Sequence, residues 1–115
     1  APFLYPFQIN NMIVYNITVK PDPQIAEDWL SWCTQEFIPE MLNTGCFGNA
    51  RVLQMLEVDN SDGPTYTIQF NAESKALYNL YQEKYADYIL ERAQEIWENR
   101  FVSFHSVMQV INQCE

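Results

Sequence analysis

His105 is the one histidine of the chain, and it sits in a strand-like run between Ser103 and Ser106. An imidazole changes charge closest to neutral pH of any side chain, so a His105 facing a cavity could take or give a proton. A hydrogen-bonded strand histidine with no chemical task fits the same letters, because no carboxylate stands beside it in sequence. A second set is polar without being titratable: Asn16 and Thr18 in one run, Thr67 and Gln69 in another. Neighbouring strands would gather these four into a patch on one sheet face, able to orient a small ligand or to bond one subunit to another. Arg51, placed near that patch, either receives a carboxylate ligand or pairs with an acid of a partner. The ligand-binding candidates are therefore Asn16, Thr18, Arg51, Thr67, Gln69 and His105, with His105 the weak catalytic candidate.

Other groupings point away from chemistry. Cys33, Cys46 and Cys114 are widely spaced, with no CxxC and no second histidine, so neither a metal site nor a disulfide framework is expected. Neither a metal nor a cofactor is expected. Free thiols suit a reducing cytoplasm. Glu36 and Glu40 lie one helical turn apart, as metal-bridging pairs do, but without an accompanying histidine they read as a solvated face. Tyr81, Tyr85 and Tyr88 recur at helical spacing and read as core, not as a stacking platform.

The elements that must position these residues follow from periodicity. From Met12, "MIVYNITV" alternates Ile13, Tyr15, Ile17 and Val19 with Val14, Asn16 and Thr18, which predicts a strand. Asp22 and Pro23 form an N-cap and first-turn pair. Ile25, Trp29, Trp32, Cys33, Phe37 and Met41 then predict a helix over about 23–42, bent near Pro39. "CFGNARVLQMLEV" reads as a second strand, "DNSDGP" as a turn and "TYTIQFN" as the antiparallel partner. Ser74 caps a second helix that runs six turns uninterrupted through Trp97, and "FVSFHSVMQVI" is the last strand.

The order β-α-β-β-α-β gives an α+β, ferredoxin-like arrangement. Right-handed crossovers set both helices on one face of a four-stranded antiparallel sheet. The other face carries Val14, Leu53 or Val52, Met55 and alternate residues of the last strand, which is too apolar to leave wet. A homodimer with paired sheets around a small cavity is the expected cover. Composition agrees with one packed unit: 115 residues, 48% hydrophobic and 15% aromatic. Fifteen acids against six Lys and Arg give a net charge of −9, which disfavours nucleic acid and anionic membrane surfaces as partners. Nothing approaches the roughly 20 apolar residues of a membrane helix. An acylphosphatase-like anion loop, the exposed aromatics of an RNA-recognition sheet and the CxxC of a metal chaperone are all missing.

The segments "MIVYNITV", "EDWLSWCTQEFIPEMLNTGCF", "TYTIQFNAES" and "RFVSFHS" closely resemble an uncharacterised bacterial family, domain of unknown function four-two-eight-six. The most specific elements are Trp29 with Trp32, Ile38-Pro39, Thr44-Gly45 before Phe47, the Tyr66 strand, and Phe101-Val102 with Phe104. The resemblance runs from about Met12 to Val110 and implies a dimeric α/β-barrel-like fold, with no established activity. A dimeric module that binds a small molecule or another protein between its paired sheets is the expected function. The alternative by fold analogy is a cofactor-independent enzyme, monooxygenase- or isomerase-like, which needs His105 or Asn16 to line a pocket beside a second polar group. Residues 12–112 would form the domain, with 1–11 an extension whose Phe3, Leu4, Tyr5 and Phe7 pack as an arm.

Overall fold

Alternating side chains define β1 (Ile13–Pro21), where Ile13, Tyr15, Ile17 and Val19 are all buried. The structure is a computed structural model and describes residues 11–114, so the expected arm of Phe3, Leu4, Tyr5 and Phe7 lies outside the described residues. Asp22 closes β1 and caps the next turn, its Oδ1 accepting the Gln24 N–H at 3.0 Å with Pro23 in first position.

The first helix is not continuous. A 3₁₀ turn at Pro23–Ile25 leads to α1 (Ala26–Trp32), a π turn (Cys33–Phe37) and α2 (Ile38–Asn43). The distortion expected near Pro39 falls just before it. Pro39 has no N–H for the carbonyl four residues back, and the Ile38 N–H reaches five residues back to the Cys33 carbonyl. Gly45, at φ +78°, ends α2 in the left-handed conformation that glycine adopts without strain.

β2 (Asn49–Gln54) is shorter than the run from Cys46 to Val58 suggested. Cys46 still belongs to the helix-closing turn, where its N–H donates to the Thr44 Oγ1, and Glu57 turns the chain at φ 56°. β3 (Tyr66–Ala72) repeats the alternation of β1, with Tyr66, Ile68, Phe70 and Ala72 buried.

Ser74 caps α3 (Lys75–Lys84) by accepting the Leu77 N–H at 3.1 Å. The expected unbroken helix is interrupted at Tyr85 (φ −125°) and resumes as α4 (Ala86–Ile96). Because α4 turns Ile89 and Ala93 inward, Tyr88 lies on the outer face at 52% exposure, whereas Tyr81 is fully buried. The tyrosine stripe is thus core only at one end.

β4 (Phe101–Gln109) completes an antiparallel sheet in the order β2-β3-β1-β4. The buried side chains of β1 and β3 share one core with Trp29, Cys33, Phe37, Met41, Tyr81 and Ile89, so the helices cover a single face. This is the α+β ferredoxin-like arrangement. Among the described residues, no helix is long and apolar enough to cross a membrane.

Candidate functional site

Strand register decides which candidates can meet. Asn16 pairs with Gln69 and Thr18 with Thr67, while Arg51 stands opposite Gln69, so these five residues share the sheet face away from the helices. His105 pairs with Ile17, whose side chain is buried under the helices. It therefore points to the opposite face and is not brought together with the other five.

On that helical side lies a cleft of about 80 Å³. Ile17, Val19 and Ile68 form its floor, and Trp29, Trp32 and Phe37 wall it from the first helical run. α4 contributes Leu90, Ala93 and Gln94; β4 contributes Phe101, Ser103 and His105. Among the described residues, no charged side chain lines it. The two halves are set side by side by the turn after α4, where Glu98 and Asn99 are left-handed at φ 52° and 59°. There the Asn99 N–H donates to the Gln94 carbonyl and the Glu98 N–H to the Glu95 carbonyl, a Schellman closure made without glycine.

His105 stands exposed at the cleft mouth, its Nδ1 joined to the Tyr15 hydroxyl at 2.5 Å with the two rings stacked 5.6 Å apart. Tyr15 packs on Tyr81 and Phe47, with ring centroids at 5.6 and 6.0 Å. Burial, then the neighbouring Tyr78, pushes the Tyr15 phenol well above its ordinary range, so it keeps its proton. Burial does the same to Tyr81. Loss of hydration disfavours the imidazolium, which holds His105 below its usual pKa and leaves it neutral at pH 7. Beneath the cleft, burial pushes the Cys33 thiol up to about 12, which makes it a packing group and not a nucleophile.

The outer face has a different chemistry. Arg51 Nε donates to Gln69 Oε1 at 3.0 Å, and Asn16 Nδ2 donates to Thr18 Oγ1 at 3.2 Å. Asn16 is only 9% exposed and is the one buried polar residue among the described residues. Leu53, Val102, Phe104 and Met108 surround this polar centre and are exposed, Val102 and Phe104 by two thirds of their surface. Leu53, opposite Thr67, is the open-face residue, and Val52 faces the helices.

Among the described residues, no three His, Cys, Asp or Glu side chains converge as a metal site. Glu40 pairs with Arg92 at 3.3 Å, while Glu36 is exposed. Sequence reasoning missed Trp29, Gln94 and Ser103 as cleft-lining candidates, and Tyr15 as the partner of His105. Tyr15 and Trp29 looked like core because they are core; only Ser103, two residues before His105 and so on the same strand face, carried a local signal.

Solved structures share this fold. A conserved protein of unknown function from Bacteroides thetaiotaomicron is 14% identical, with TM-score 0.64 over 88% of this chain and 99% of that one. SnoaB, a cofactor-independent oxygenase from Streptomyces nogalater, is 10% identical, with TM-score 0.65 over 90% and 96%. A dimeric ferredoxin-like protein from an uncultured marine organism is 6% identical, with TM-score 0.60 over 90% and 98%. No curated protein matches the chain in sequence. Residues 12–111, which hold both sheet faces and the cleft, match the model of Domain of unknown function (DUF4286), and the chain belongs to that family.

Proposed function

We propose that the protein is a homodimeric module that holds a small, mostly apolar molecule in the cleft between β4 and α4. The observation that carries this is the cleft itself, whose walls are aromatic and aliphatic and whose polar lining comes from Gln94 on α4 and from Ser103 and His105 on β4. In this reading the ligand sits on the helical side of the sheet. Exposed Val102 and Phe104 support pairing through the open face, as does the shared fold of a dimeric ferredoxin-like protein. Asn16, Thr18, Arg51, Thr67 and Gln69 then serve as a hydrogen-bond network at the centre of that interface. The buried free thiols Cys33 and Cys46 support a reducing compartment, the cytoplasm.

Titration with methylenecyclohexane tests the cleft. The indole N–H signals of Trp29 and Trp32 are expected to shift in a saturable way, and Ala93→Trp, which fills the cleft from α4, is expected to abolish the shift. Saturation that survives Ala93→Trp, or no shift at all, would place the ligand elsewhere. A second reading, catalysis without a cofactor, is favoured by one observation: His105 reaches the cleft mouth already bonded to Tyr15. It predicts turnover that His105→Phe removes while binding persists.

A further inference from the structure

We infer that the molecule held in this cleft is neutral and presents a hydrogen-bond acceptor, a carbonyl-type oxygen, to the Nε2–H of His105. The inference rests on the cleft being a ligand site and goes on to specify the ligand's chemistry. The donors and acceptors around the cleft carry it.

The Tyr15 hydroxyl has one hydrogen-bond partner among the described residues, His105 Nδ1, so its proton is satisfied only by donating there. The neighbouring Tyr81 hydroxyl is buried and, among the described residues, has no partner in hydrogen-bond geometry, so it does not take the Tyr15 proton. A neutral imidazole whose Nδ1 accepts must carry its hydrogen on Nε2, and that nitrogen has no partner among the described residues. His105 therefore meets a ligand as a donor. Trp29, 2% exposed and part of the same cleft wall, adds a second: its Nε1–H is buried with no acceptor, and an indole can only donate. Ser103 and Gln94 can turn either way, so the fixed groups are both donors. Among the described residues, no Lys or Arg in the lining could meet an anionic ligand, and a charge so placed would be desolvated without compensation.

The test compares cyclohexanone with methylenecyclohexane, two molecules of nearly one shape that differ in the acceptor, in wild type and His105→Phe. The substitution is expected to weaken the ketone about tenfold, as loss of a hydrogen bond near the upper end of the usual range does, and to leave the hydrocarbon within about twofold. Equal effects on both probes would overturn the acceptor while leaving the cleft as a binding site. Failure of both probes to shift the Trp29 and Trp32 indole signals of wild type would overturn the cleft and the acceptor together. Long-range ¹H–¹⁵N correlation on the wild-type imidazole gives an independent check that needs no variant: Nε2–H is expected, and Nδ1–H would refute the assignment.

Discussion

The two faces of the sheet are built from the same strands and solve opposite problems. On the helical face every second residue of β1 and β3 is apolar and buried, and aromatic rings stack from Trp29 on Tyr66 to Tyr15 on Phe47. On the other face the centre is polar and internally bonded, and the apolar residues stand at its margins, uncovered. Burial of a continuous aromatic layer fixes the protomer; a polar centre with an apolar rim gives a partner both a register and a reason to bind. Thermodynamic stability should therefore reside on one face and association on the other.

The largest expected break in that division is Trp29→Ala, which removes a fully buried indole and should cost about 3–5 kcal/mol in urea unfolding. Phe104→Asp should do the reverse. It should leave the protomer's unfolding nearly unchanged while weakening the proposed dimer about tenfold or more in sedimentation equilibrium, as loss of an interface anchor does. If Phe104→Asp unfolds the protomer instead, the two faces are not separable. Ser74→Ala touches neither face and serves as the reference: removal of the α3 cap should cost about 1 kcal/mol with no change in association.

The smallest effect is one of pH. His105 is held below its ordinary pKa, so between the ordinary histidine value and its depressed folded value the unfolded chain binds more protons than the folded one. Stability should fall as pH drops from 7 through that window, and His105→Phe should remove that part of the slope in denaturant titrations. Asp22 acts in a more acidic range. Its carboxyl is lowered first by the Gln24 N–H and then by Arg100, so its contribution is present above the usual carboxylate pKa and lost only as pH falls through the lowered one.

The sheet was legible because β1 and β3 alternate cleanly, and the helix starts because Asp22 and Ser74 are side-chain caps. β4 was legible as a strand but not as a face. Phe101, Ser103, His105 and Val107 on one side, and Val102, Phe104, Ser106 and Met108 on the other, each mix polar with apolar residues. Only pairing with β1 assigns His105 to the helices, and pairing is not a local property. For the same reason the cleft could not be read in advance: its walls are ordinary core residues, brought together where β4 forms the sheet edge. The break at Tyr85 carries neither Gly nor Pro, and the chain's letters gave no cue to it.

The π turn at Cys33–Phe37 has a consequence for chain length. Trp29, Cys33, Phe37 and Met41 are all buried at strict four-residue intervals. In a pure α-helix of 3.6 residues per turn each such step overshoots by about 40°, and three steps would carry Met41 about 120° around the axis from Trp29. The wider turn absorbs much of that overshoot, acting as a gear that keeps four teeth meshed with one sheet. Deleting a single residue between 33 and 37 would rotate everything beyond it by about 100°, so that either the cleft wall or the α2 anchor leaves the core. In an insertion and deletion scan this short stretch should tolerate least, and the 56–64 loop most.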